Sequence, residues 1–275
     1  MLKALLLVLA SGAALYAIVC LVVYLAQEKL VFFPGPPPSR TPADAGLAFE
    51  PWTLATSDGE RLDAWLVRTS RSASRGAILF CHGNAGSIED RLDRAQAFAR
   101  MRLDVLLFDY RGYGRSSGKP TEDGTYRDAD SAYDALVAAG FGPERIVAYG
   151  ESLGGAVAID LASRRKVAAV IVEDAFTSLA DIGARVYRWL PARLLARIRY
   201  DSISKLSRVS APILIVHSPG DALVPFEHGQ RLFEGAREPK KMLVTSGGHG
   251  DGGFLQRAEW IDAVDAFLEN ALLPR

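Results

Sequence analysis

Short apolar runs recur along the chain, spaced so that a helix fits between most neighbours: Ala77–Cys81, Val105–Phe108, Ile146–Tyr149, Ala168–Val172, Ile213–His217 and Lys241–Thr245. Runs this short and this uniformly apolar predict strands buried on both faces, because a strand with one wet face would alternate. The stretches Ile88–Arg102, Tyr126–Ala139, Leu153–Arg165 and Glu227–Glu234 predict helices, and Phe254–Asn270 predicts a last amphipathic one. Ahead of the series, Phe49–Thr56 and Arg61–Arg68 alternate around Ser57-Asp58-Gly59-Glu60, the pattern of an antiparallel hairpin. Strand–helix repetition brings successive strands parallel through helical crossovers. The expected fold class is therefore α/β, with a mostly parallel central sheet and helices on both faces.

The amino terminus obeys a different rule. From Ala4 to Ala26 the sequence carries no charge. A helix of that length crosses a hydrocarbon core of about 30 Å at about 1.5 Å per residue. It lacks the polar stripe of a surface core helix, so one N-terminal transmembrane helix is expected. Ala10-Ser11-Gly12 offers a signal-peptidase site, but the apolar run continues too far beyond it for a simple signal peptide. Ala17-Ile18-Val19-Cys20 is a poor lipoprotein box because Val19 is too large. Lys3 on one side and Lys29 and Arg40 on the other nearly balance, so charge leaves the sidedness open. A short uncleaved signal-anchor would put the domain outside the cytoplasm. Phe32-Phe33-Pro34-Gly35-Pro36-Pro37-Pro38 then stops the helix, with both phenylalanines expected at the interface and the prolines forming a stiff spacer. The expected organisation is an anchor over 1–28, a Pro-rich spacer over 29–46 and one domain over 47–275.

Composition narrows the function. Of 275 residues, Lys+Arg and Asp+Glu each number 32, so no net field exists to hold nucleic acid, and no nucleic-acid partner is expected. Cys20 and Cys81 are too few for a disulfide scaffold or a cysteine zinc site, and no metal or cofactor is expected. The loops at Gly83-Asn84-Ala85-Gly86 and Gly112–Lys119 follow strands but do not match a phosphate-binding loop: Lys119 is followed by Pro120, not by a hydroxyl residue.

One motif carries chemistry. Gly150-Glu151-Ser152-Leu153-Gly154 follows the strand Ile146–Tyr149 and opens the helix that begins at Leu153. A sharp strand-to-helix turn projects a serine Oγ above the sheet edge, and small flanking residues remove side chains that would collide there. A serine needs a base. His249, in the glycine-rich loop Ser246–Asp251 after the last strand, is the candidate; His217 ends a strand as a core residue, His228 is expected to be exposed, and His82 to brace its own loop. The base needs an orienting acid. Asp221, in the loop after Ile213–His217, is preferred, and Asp174, at another strand end, is its rival. The small residues of Cys81-His82-Gly83-Asn84-Ala85-Gly86-Ser87 leave room for an oxyanion hole, with the backbone N–H groups of Asn84 and Leu153 as donors.

Four elements in this order, FCHGNAGS, FDYRGYGRSSGKP, YGESLGG and the pair SPGDALVP with SGGHGD, resemble single-pass, membrane-anchored serine hydrolases of the α/β-hydrolase superfamily, the alpha/beta hydrolase domain-containing proteins. The likeness runs from about Phe32 to the carboxyl terminus and includes the preceding anchor. It implies an α/β-hydrolase fold with Ser152 as nucleophile, Asp221 as acid and His249 as base, and a structural role for Asp109, Arg111 and Gly112. It does not fix the substrate: such proteins include esterases, thioesterases that remove acyl chains from proteins, lipid hydrolases and peptidase-like members. The segment at about 176–208 implies a small helical cap in which arginines alternate with Tyr187, Trp189, Leu190, Leu194 and Leu195. The expected activity is hydrolysis of an acyl ester or thioester near a lipid bilayer. A peptidase acting on short peptides and a non-catalytic, membrane-tethered binding protein are the alternatives.

Overall fold

The computed structural model describes residues 1–69, 74–251 and 258–272. Its elements run α1 (Leu2–Val31), β1 (Phe33–Pro34), β2 (Phe49–Ala55), β3 (Arg61–Val67), β4 (Gly76–Cys81), β5 (Ala85–Gly86), α2 (Leu92–Arg100), β6 (Leu103–Phe108), α3 (Glu122–Ala138), β7 (Ile146–Glu151) and α4 (Leu153–Arg164). They continue as β8 (Ala169–Glu173), α5 (Leu179–Val186), α6 (Ala192–Leu195), β9 (Ile213–His217), α7 (Phe226–Gly235), β10 (Lys240–Val244) and α8 (Ala258–Ala271). Positions 254–257 of the expected last helix lie outside the described residues.

The main sheet has the order β10-β9-β8-β7-β4-β6-β3-β2. The expected hairpin is present: β2 and β3 pair antiparallel, β3 joins β6 antiparallel, and every other pair is parallel. Successive side chains of the central strands go to opposite faces. Leu79 and Leu106 face a core built with Ala132 and Leu136 of α3 and with Ala156 and Ile159 of α4. Ile78, Phe80 and Leu107 face a second core with Phe98 of α2 and Trp260, Val264 and Leu268 of α8. With both faces covered, the inner strands have no wet side, which is why their sequences are solidly apolar.

Two helix starts differ from the sequence reading by four residues each. α3 begins four residues before Tyr126, because Thr121 caps it: its Oγ1 accepts the N–H of Gly124 at 3.0 Å. The predicted Ile88 start is a 3₁₀ turn over Ile88–Arg91, after which α2 begins at Leu92.

The amino-terminal helix is long and apolar enough to cross a membrane. It does not stand apart from the domain. Gln27 is its buried residue: its amide donates to the carbonyl of Leu195 at 2.8 Å and accepts from the N–H groups of Arg197 and Ile198 at 2.8 and 3.2 Å. Tyr16 donates to the carbonyl of Trp189 at 2.9 Å. The segment expected to be a spacer is laid along the domain instead, since Phe33 and Pro34 pair with Ala85 and Gly86 in a small parallel ladder. Phe32, expected at the bilayer interface, is buried edge-on against Tyr200, while Phe33 is half exposed.

Beneath the carboxyl edge of the sheet lies a buried charge cluster. Arg94 of α2 reaches Glu151 at 3.1 Å and Glu173 at 2.8 Å, Arg91 reaches Glu151 at 3.1 Å, and the Tyr149 hydroxyl donates to Glu173. Burial alone would favour deprotonation of Arg94, but the two carboxylates reverse that and hold its guanidinium more firmly charged than usual. Burial pushes the Glu173 carboxyl up in spite of Arg94. Removing one member of such a group strands charge in a medium that solvates it poorly. Arg94→Met is expected to lower the free energy of unfolding by about 3–5 kcal/mol, measured in detergent solution as a lower urea midpoint with an unchanged slope.

Candidate active site

The turn between β7 and α4 places Ser152. Its backbone sits at φ 52° and ψ −115°, a left-handed conformation that costs a non-glycine residue of order 1–3 kcal/mol. Neighbours hold it there. Its N–H donates to the carbonyl of Glu173 at 2.8 Å, and its own carbonyl accepts from Gly155 at 3.0 Å. Gly150 and Gly154 are required by contact: a Cβ on Gly150 would strike the Gly154 backbone, and one on Gly154 would strike the carbonyl of Cys81 at the end of β4. The tightness that presents the hydroxyl therefore comes from one strand end, β4, pressing on the turn that follows its neighbour β7.

Three loop side chains converge at this edge. The His249 ring is 2.9 Å from Ser152 Oγ through Nε2 and 2.7 Å from Asp221 Oδ2 through Nδ1. The other Asp221 oxygen accepts the N–H groups of Leu223 and Val224 at 2.9 and 2.8 Å, so the carboxylate is aimed from both ends. Asp174 lies close by but bonds differently: its carboxylate accepts the N–H of Gly250 at 3.0 Å, bracing the loop that carries the imidazole. Of the two sequence candidates, Asp221 is the one bonded to the ring. Asp174, Asp221 and His249 bring possible ligand atoms within 4.8 Å of one another, but both His249 nitrogens are already committed to Asp221 and Ser152.

Burial alone would depress the His249 imidazolium. The hydrogen bond and charge of Asp221 outweigh it, Asp174 and Glu151 add to them, and the ring titrates above its usual value. Burial likewise raises Asp221, but the bond to His249 and the N–H of Val224 hold its carboxyl below the usual range.

Asn84 and Leu153 line the same cavity as Ser152. The Asn84 carbonyl, on the peptide that follows, accepts from the Phe33 N–H at 2.9 Å and the Tyr113 hydroxyl at 2.7 Å. The remaining histidines divide. His217 is buried and bonded to the carbonyl of Val224 at 2.8 Å, a core residue as read from the sequence. His82 is buried against the carbonyl of Gly83 at 2.7 Å; burial and Arg91 pull its pKa down to about 3, so it is neutral. His228, expected to be exposed, is buried and shares a hydrogen bond of 2.9 Å with Thr177, because the face of α7 that carries it turns toward the loop after β8. Asp109 accepts the N–H of Ile88 at 2.9 Å, and burial raises its carboxyl to about 8. Arg111 bonds Asp58 and Asp128.

Sequence reasoning did not find the contribution of α1. Val23, Gln27, Leu30 and Val31 share the lining of this cavity, and the Asn84 side-chain amide donates to the carbonyl of Val31 at 2.8 Å. The spacing of those residues is one helix face; only Val23 falls in the uncharged run, and Gln27, the polar residue just after it, is the signal that could have marked the face.

Residues 76–269 match the alpha/beta hydrolase fold family. The chain belongs to that family. An uncharacterised protein of Mycobacterium tuberculosis is 40% identical over 272 residues, covering 96% of this chain and 93% of its own length. Human alpha/beta hydrolase domain-containing protein 17B is 36% identical over 221 residues, 76% of this chain and 74% of that protein. Among solved structures, an esterase of Pyrococcus furiosus superposes with a TM-score of 0.74 at 21% identity, over 88% of this chain and 98% of that one, a likeness of fold.

In this alpha/beta hydrolase, the His249 resonance is expected to titrate by NMR above the ordinary imidazole value of about 6.5. In Asp221→Asn it is expected to titrate lower, because the carboxylate that outweighs burial is gone.

Proposed function

We propose that the protein is a membrane-anchored serine hydrolase that cleaves carboxylic ester or thioester bonds through an acyl-enzyme. The observation that carries this reading is the unbroken hydrogen-bond path from Ser152 Oγ through His249 to Asp221. A serine hydroxyl is a poor nucleophile until a neighbouring base accepts its proton. In the reading, Ser152 Oγ attacks the acyl carbon while its proton passes to His249 Nε2. Asp221 holds the Nδ1–H tautomer and stabilises the imidazolium that forms.

The carbonyl oxygen becomes an oxyanion, held by the N–H groups of Asn84 and Leu153; each donor of this kind is worth about 10²–10³ in rate. The tetrahedral adduct collapses, the bond to the leaving oxygen or sulfur breaks, and His249 returns the proton to it. Water then repeats the sequence against the acyl-serine, releasing the acid and restoring Ser152.

The lining of the cavity above Ser152, which includes Leu179, Ile182, Val186 and Leu190, supports an apolar acyl group as the bound portion. The apolar α1 supports a site beside a bilayer, where such acyl groups reside.

A fluorophosphonate probe is expected to label the wild type and to leave Ser152→Ala unlabelled; equal labelling of both would remove Ser152 from its role. p-Nitrophenyl esters are expected to turn over well ahead of aminoacyl-amides, and the reverse order would make the protein a peptidase. Because the base must be neutral, activity falls as pH drops through the His249 pKa. The raised value puts the acid limb of kcat/KM above about pH 6.5. Asp221→Asn is expected to lower kcat by about 10⁴.

A further inference from the structure

An anchor that served only as a tether would need no polar residue and no tie to the reaction site. This one has both. Val23, Gln27, Leu30 and Val31 fall at intervals of four, three and one, a single face of a 3.6-residue helix, and all of them line the cavity that reaches Ser152. A second wall is α5 of the cap, through Ile182, Gly183 and Val186. The cavity is about 320 Å³, at the lower end of the range for small-molecule sites.

The relative position of the two walls is set by directed bonds. Gln27 has its side-chain bonds to the cap at Leu195, Arg197 and Ile198. At the end of α1, the carbonyl of Val31 receives the amide of Asn84, and the next residue, Phe32, is buried in the domain core. The helix is thus locked to the cap along one side and to the Asn84 loop at its end.

The length of α1 leaves room for this. Thirty residues span about 45 Å against a hydrocarbon core of about 30 Å, so the last turns are surplus to a crossing. The cap surface beside them carries exposed Val186, Tyr187, Trp189 and Leu194. Arg185 and Arg188 are exposed around these residues, the pattern of a surface sunk to headgroup depth.

We propose that α1 is a specificity-determining wall of the acyl site as well as an anchor, with Val23, Leu30 and Val31 in contact with the acyl chain of the substrate and α5 on its other side. The inference rests on the serine-hydrolase reading and adds to it the element that measures the chain. A chain held there is bounded by the bilayer helix itself, so an acyl group passes from the membrane to Ser152 along α1 without crossing water.

The test uses the full chain in phosphatidylcholine nanodiscs and compares kcat/KM for p-nitrophenyl decanoate with that for p-nitrophenyl acetate. Val23→Trp, which fills the cavity from α1, is expected to lower the decanoate-to-acetate ratio at least tenfold. Gly183→Leu is expected to do the same from the cap, where among the described residues a Cβ meets only Ala192, at an ordinary 3.6 Å. Leu9→Trp, on the exposed first half of α1, is expected to keep the wild-type ratio. If Val23→Trp does not fold, Val23→Ala serves: it widens the cavity and is expected to move the preferred ester to a longer chain. A ratio changed by Gly183→Leu but by neither Val23 variant would overturn the proposal, since the chain would then bind without touching α1. A wild type that neither labels with fluorophosphonate nor turns over acetate would overturn the serine-hydrolase reading, a separate result.

Discussion

Everything at the site depends on the contact between the end of β4 and the turn after β7. Gly154 sits against the carbonyl of Cys81 so closely that a methyl group there has no space. That contact holds Ser152 at a positive φ, which an unconstrained serine leaves readily. Because β4 and β7 are hydrogen-bonded neighbours from Ala77 with Ile146 to Cys81 with Gly150, the sheet register itself sets how the hydroxyl is presented. The same juxtaposition brings the Asn84 loop, which leaves β4, to the side of Ser152.

Around that contact, burial decides which groups carry charge. His82 and Asp109 are close, at 3.6 Å, yet both are driven toward their neutral forms by loss of water. His249, also partly buried, goes the other way because Asp221 accepts a hydrogen bond from its Nδ1–H and supplies an opposing charge. The two histidines differ in partner as well as in depth, and the carboxylate partner separates a brace from a candidate base. Beneath them, Arg94 offsets Glu151 and Glu173, so the residue preceding Ser152 and the residue whose carbonyl holds the Ser152 N–H are tied to one guanidinium.

A second organising feature is the union of α1 with the domain. Residues of the carboxyl edge of the sheet, the cap and the last turns of α1 line one cavity, so the apolar helix forms part of the wall of the candidate site. Gln27 is the residue that makes the union specific: besides the Tyr24 carbonyl within α1, its amide bonds Leu195, Arg197 and Ile198 of the cap, and a buried amide that lost those partners would be costly.

Much of this was legible in the chain. Strands buried on both faces must be short and apolar, so the parallel sheet and its hairpin could be read off the pattern. The glycines around Ser152 reflect a local steric demand and stand out without any knowledge of neighbours. A glycine-rich loop after a strand marked His249, and a loop after another strand marked Asp221, but Asp174, at a third strand end, satisfied the same local criterion for the acid. Only the folded loops show that Asp221 meets the ring while Asp174 accepts the N–H of Gly250. The depth of His228, the burial of Phe32 and the pairing of Phe33 and Pro34 with β5 were hidden for the same reason: each depends on partners distant along the chain. Periodicity reports how a segment divides between oil and water, and from Ala4 to Ala26 α1 is apolar on every side, so its sequence determined a helix long enough to cross a bilayer, while its docking face was decided by the cap that packs against Gln27.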